Sequence, residues 1–141
     1  MKPILTPAQM ARARATYERQ TARAHEALVR GFERADAAYQ RSQLAHQALL
    51  ARERTLRTRA QIDFHIAIED GAKAASAERT RERARGRADA LADQAVAFAE
   101  RAIARFHTTI GQINAVQQTD LAAAAARYRE QTGQDPSGIR T

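Results

Sequence analysis

The chain has no cysteine, no tryptophan, few aromatic residues of any kind and no long apolar run. Without cysteine there is no disulfide scaffold, no thiolate zinc site and no cysteine nucleophile. With 5% aromatics in 141 residues, large side chains are too scarce to fill the broad core of a compact globule. No apolar stretch approaches the roughly 18 residues that cross a bilayer, and residues 1–10 lack the apolar block of a signal peptide. The expected location is cytoplasmic or within a virion or other assembly, with no membrane partner. Catalytic signatures are missing as well: there is no Gly-rich phosphate loop, no nucleophile elbow and no HExxH. None of His25, His46, His65 and His107 stands three residues after a Glu, so the paired Glu-x-x-His signature of di-iron bundles is absent. His65 and Glu69 share a helix face, which an ordinary surface pair explains better than half a metal site. His46 reads as a seam position with a polar contact. The expectation is a protein that is not an enzyme and takes no metal, cofactor or small-molecule substrate.

What the chain does have is alanine and arginine. Its 44% hydrophobic content is largely Ala, which suits narrow seams where two helix backbones approach closely. The net charge is +7, and 21 of the 23 basic residues are Arg. Arg with Ala is also what a GC-rich genome writes by codon bias, so the placement of the charges matters more than their sum.

The fold expectation is all-α: two long helices in an antiparallel, coiled-coil-like hairpin, assembled into a larger helical bundle or oligomer. The boundaries read as a lead-in over 1–6, helix one over 7–69, a turn over 70–76, helix two over 77–132 and a flexible polar tail over 133–141. Thr6 can cap helix one, Pro7 sits at the first helical position, Gln9 closes a capping box and Leu5 can staple onto Met10. Asp70-Gly71 is a helix-stop and turn signal at the midpoint of the pattern. A single continuous rod with Gly71 tolerated inside it is the competing reading. Ser76 is the expected cap of helix two, and Gly133 followed by Pro136 ends it.

On helix one an apolar row recurs at Met10, Ala13, Tyr17, Ala24, Leu28, Phe32, Ala35, Tyr39, His46 and Leu50, with Tyr17, Leu28, Tyr39 and Leu50 eleven apart. That period gives a nearly straight seam. On helix two Ala92, Val96, Ala99, Ile103, Phe106, Ile110 and Ile113 read as a heptad seam. Folding at Gly71 places residue i opposite residue 142 − i, so Tyr39 faces Ile103, Ala35 faces Phe106 and Gly31 faces Gly111. Arms of about 60 residues would be about 90 Å long.

Two surface features are candidates for function. Ile62, Phe64, Ile66 and Ile68 alternate, the chain's strand-like pattern; as a helix they would be apolar on nearly all sides. They form an expected partner-binding tip, with a short strand as the plainer alternative. Below it, Arg52, Arg54, Arg57 and Arg59 superimpose on Arg79, Arg83 and Arg87 as a basic collar for an anionic partner. The stretches 52–59 and 78–89 together hold nine Arg against Glu53, Glu78, Glu82 and Asp89. A solvated face is the ordinary reading of such a charge run.

In length and layout the chain resembles the two-helix coiled-coil stalk and chaperone proteins of bacterial export machines, which fold one basic helical hairpin with both termini at one end. The layout fits a virion neck, tail or internal protein of a bacteriophage equally well. The expected function is that of a structural or adaptor component of such an assembly, binding itself or other assembly proteins. Sequence-independent nucleic-acid binding by the Arg collar is the alternative. It is not favoured, because helix-turn-helix pattern, zinc ligands and aromatics interleaved with Arg are all missing.

Overall fold

The computed structural model describes residues 4–138. The fold is all-α, with two long helices packed against each other and no strand among the described residues. Helix α1 spans Pro7–Glu69, α2 spans Ala74–Thr132, and a 3-10 turn follows at Pro136–Gly138. The alternating 62–68 segment is therefore helical, and the short strand is excluded.

Local chemistry sets each end. The Thr6 N–H donates to Gln9 Oε1 (2.9 Å) and the Gln9 N–H to Thr6 Oγ1 (3.2 Å), a reciprocal capping box that satisfies two orphan donors at the start of α1. At its other end Gly71 takes φ +83°. Its N–H bonds to the Ile68 carbonyl, and the Ala72 N–H bonds to the Ala67 carbonyl. This is the Schellman pair, and it turns the chain back after Glu69. The continuous-rod reading falls here. The turn consumes only residues 70–73, so α2 begins at Ala74 rather than at 77. Ser76 is not the cap: its N–H and that of Ala77 both bond to the Lys73 carbonyl (3.0 and 3.1 Å). Gly133, at φ +68°, closes α2 through a 2.7 Å bond to the Arg129 carbonyl.

The expected flexible tail is ordered over 133–138. Thr132 Oγ1 accepts from the Gln134 N–H, Asp135 accepts from the Ser137 N–H, and Pro136 is buried. The rest of that tail, Ile139, Arg140 and Thr141, lies outside the described residues, as do Met1, Lys2 and Pro3 of the lead-in.

The chain divides into two compact units, one from Met1–Asp36 with His107–Thr141 and one from Ala37–Phe106. The first has Ala13, Ala24, Ala35, Ala124 and Tyr128 in its interior. Tyr17 and Tyr128 stack with ring centroids 5.5 Å apart, and Gly31 lies against the Ile113 side chain. The second buries Ala60, Ala77, Ala84, Ala88 and Ala95. There Tyr39 and Phe106 meet at 5.1 Å, and His46 Nδ1–H donates to the Ala95 carbonyl at 3.1 Å, the polar contact expected of a seam histidine.

These pairs correct the expected register. In each unit the numbers of partners that meet through side chains add to between 144 and 146, not 142; the His46 ring, which reaches a backbone carbonyl, adds to 141 with Ala95. Gly31 therefore opposes Ile113, and Gly111 has open space beside it; Tyr39 opposes Phe106 rather than Ile103. About one residue of the shift comes from the turn, whose midpoint falls between residues 71 and 72. About two more follow from the lean of helical side chains toward the N-terminus, which moves contacts by about one residue on each antiparallel helix.

The α2 seam is also out of phase with expectation. In the second unit the inward row is Ala84, Ala88, Leu91, Ala95, Phe98, Ala102 and Phe106, whereas Val96 and Ile103 are exposed. Alanines let the two backbones come close, and β-branched residues are displaced to the flanks of so narrow a seam. On α1 every member of the expected apolar row is buried or half-buried.

Candidate functional site

The fully buried residues are almost all small, large ones along the seam are only half-buried, and several others are exposed. Among the described residues ten hydrophobic side chains are buried, nine of them Ala and the tenth Tyr128. In the second unit Leu44 is 66% exposed, Val96 56%, Ile62 52%, Ile66 50% and Ile103 44%. Burying apolar area is the main favourable term in folding, and here much of the best material for it stays in water.

Part of that exposed material is aligned. Leu44, Ala48, Ala51, Thr55, Thr58, Ile62 and Ile66 follow one another at intervals of three or four residues, all exposed. Their angular position is opposite the row Tyr39, His46, Leu50, Ala60 and Phe64 that faces α2. With Ala37 and Gln40 the stripe runs from 37 to 66 without a charge.

The four residues expected to form one tip are therefore not together. Ile62 and Ile66 belong to the outward stripe. Ile68, two residues on, is exposed at a different angle. Phe64 is half-buried and packs inward, with the Arg81 guanidinium 4.0 Å above its ring. Arg81 also holds Glu78 in an ion pair, and its Nε is buried without a hydrogen-bond partner. That hydrogen bond holds the Glu78 carboxyl below the usual carboxylate range against the smaller opposing effect of desolvation.

The collar residues divide between different sides of the second unit. Arg57 bridges to Asp89 at 2.7 Å and back to Glu53 at 3.0 Å. Those two carboxylates, Asp89 first, raise its pKa further. Arg85 pairs with Glu82 at 3.4 Å on the same helix. Arg54 and Arg59 flank the outward stripe of α1 with Thr55, Thr58, Ile62 and Asp63, and Arg79 points away from α1 on α2. Arg59 also lines, with Arg87, a groove that holds Leu56, Asp63 and Phe64. Arg52 shares the angular position of Arg59, and Arg83 is one turn from Arg87.

The comparisons find nothing to set beside this chain. No protein-family model, no curated protein and no solved structure matches it. Its own surface is thus the basis for a functional reading.

Sequence reasoning missed three parts of that surface. Arg81 was passed over for its neighbours Arg79 and Arg83; its meeting with Phe64 shows only once the register is known. The uncharged stripe was legible as a second three-four periodicity on α1, half a turn from the first. Arg41, Arg101 and Arg105 were signalled by spacing: Arg41 is eleven residues before Arg52, and Arg101 and Arg105 repeat Arg83 and Arg87 eighteen residues later. Among the described residues no group of three or more His, Asp or Glu is placed to hold a metal ion, and no helix is long and apolar enough to cross a membrane.

Proposed function

We propose that this chain is a non-enzymatic structural or adaptor component of a larger bacterial or bacteriophage assembly, and that it associates through the outward face of α1. The observation that carries this reading is the inversion of size: alanines between its own helices, and Leu44, Ile62 and Ile66 aligned on the far side.

The occupant of that face is a second copy of the chain. The positions 44, 48, 51, 55, 58, 62 and 66 are spaced almost symmetrically about Thr55, as an isologous antiparallel pair requires. Leu44 then meets Ile66 of the second copy, and Ile62 meets Ala48. The paired stretch 44–66 covers about 33 Å of helix and a helix is about 10 Å wide, a footprint of roughly 660 Å² over both copies. That lies well below the usual range of specific interfaces, so the pair forms weakly and reversibly, at high protein concentration. Arg52 comes near Arg59 of the second copy, and screening of that repulsion makes association strengthen as salt rises.

Sedimentation velocity over a range of protein and salt concentrations tests this. The triple variant Leu44→Ser, Ile62→Ser, Ile66→Ser should remain monomeric at concentrations where the parent dimerises, with unchanged helicity by circular dichroism. An unchanged mass distribution would remove the α1 face from the mechanism.

A further inference from the structure

The second unit carries its charge on two different sides, and they are unequal. On one side α1 contributes Arg41, Arg52 and Arg59, which differ by no more than about 20° around the helix. On α2, Arg83 and Arg87 recur as Arg101 and Arg105 after eighteen residues, which is five whole turns, or about 27 Å. Arg41 and Arg59 are also eighteen residues apart. The groove lined by both Arg59 and Arg87 puts the two rows on the same side of the unit. All seven Arg residues are exposed, and Asp63 is the carboxylate set among them. The acids Glu53, Glu78, Glu82 and Asp89 are taken up elsewhere, in pairs with Arg57, Arg81 and Arg85. Among the described residues no ion pair holds any of the seven.

Codon bias can supply arginine, but it does not sort arginine to one side. Two i,i+4 pairs of like charge on α2 cost a few tenths of a kcal/mol each, and no ion pair among the described residues offsets that. We infer that this side of the second unit, with Arg41, Arg101 and Arg105 at one level and Arg52, Arg59, Arg83 and Arg87 at the next, is a binding surface for the phosphate backbone of duplex nucleic acid.

Guanidinium groups present paired donors that match phosphate oxygens. Seven of them in two sets along straight helices suit a stiff, regularly charged rod. The groove between the rows offers Leu56 and a half-buried Phe64 already covered by Arg81. No exposed aromatic stands among the Arg residues, so there is no platform on which single-stranded bases would stack. Nor is there an apolar ridge to enter a bilayer. Binding is therefore independent of sequence and set by counterion release. The α1 row borders the stripe proposed above for self-association, but the inference rests on the Arg rows and does not depend on that association.

Fluorescence anisotropy with a labelled 30-base-pair DNA duplex tests the inference. The parent should bind at low salt, with a log–log salt slope of about −4 to −6 for five to seven phosphates engaged. The variant Arg52→Gln, Arg59→Gln, Arg87→Gln should lose at least tenfold in affinity, and its slope should be shallower by about 2 to 3. Its helicity should be unchanged, and its self-association read by sedimentation without nucleic acid should be no weaker than that of the parent, because the Arg52–Arg59 repulsion between copies is gone. The Lys triple at the same positions should bind within a few-fold of the parent. A control of equal charge, Arg54→Gln, Arg79→Gln, Arg85→Gln, should keep the parental affinity. Equal loss in both Gln triples would overturn the site, as would a salt-insensitive or absent interaction of the parent. Equally tight binding of a single strand of the same length, or of phosphatidylserine vesicles, through the same three residues would overturn the duplex as ligand.

Discussion

Replacing glycine by alanine at three helical positions separates the close approach in the first unit from ordinary helix propensity. A Gly→Ala change inside a helix is worth about 0.8–1 kcal/mol when the new methyl has room. At Gly86 and Gly111 nothing lies within 4 Å of the added Cβ, so each change should stabilise by that amount. At Gly31 the added Cβ meets Ile113 Cδ1 and Cγ1 at 3.1 Å and Cγ2 at 3.2 Å. Both branches of the isoleucine are in the way and its χ1 is stiff, so no single rotation clears the contact. Overpacking of this kind costs about 1–3 kcal/mol. The propensity gain is cancelled or exceeded, and Gly31→Ala should be destabilising by about 1 kcal/mol. Removing the obstacle supplies the control: in the Gly31→Ala background Ile113→Ala should cost about 1–2 kcal/mol less than it does in the parent. Urea titrations followed by circular dichroism at 222 nm, at one protein concentration and with m-values compared, measure the parent and all five variants. Gly31→Ala stabilising as much as Gly111→Ala would refute the close approach and, with it, the register.

Gly71→Ala should destabilise by about 1–2 kcal/mol, because φ +83° is a left-handed backbone angle that a Cβ disfavours; a melt matching that of the parent would mean that the turn does not need glycine. Glu78 has a folded-state pKa below its ordinary value, so its contribution to stability is present above the ordinary carboxylate range and is lost as pH falls through the depressed pKa. Urea midpoints measured from pH 7 down to pH 3 should accordingly fall less steeply for Glu78→Gln than for the parent, and parallel curves would count against the Arg81 partnership.

Three of the four helix ends were legible because they depend on residues within a few positions of one another, whereas the start of α2 was placed three residues late. Thr6 with Gln9, and Gly71 and Gly133 at their left-handed angles, carry their own instructions. The phase of α2 was not legible by weighting large residues. Val96 and Ile103 look like seam residues in one dimension, but an alanine seam leaves no width for them. The register needed the lean of side chains, a tertiary effect of about two residues that no local motif reports. The same holds for the surface. Arg52 and Arg54 are neighbours in the chain yet stand on different sides, and Arg59 meets Arg87 across a groove only after both helices have been phased. Phe64 was grouped with Ile62, Ile66 and Ile68 in one tip by their alternate spacing, although residues two apart stand more than half a turn from each other on a helix.

The turn at Gly71 also fixes an order of events in folding. Partners nearest the turn are separated by few residues, and each contact formed there shortens the loop that the next must close. The unit Ala37–Phe106 is one continuous stretch and can close in this way from its own turn. The other unit is made of two segments whose connection is that whole stretch, 70 residues from position 37 to 106. For its segments to meet first they would have to close a loop of that length in one step, with an entropic cost that grows as the logarithm of loop size and a search that slows folding. Once the continuous unit has zipped up, that loop is already closed. The terminal unit is thus a late, conditional event, and a lesion near the turn should delay the docking of residues that lie farthest from it along the chain.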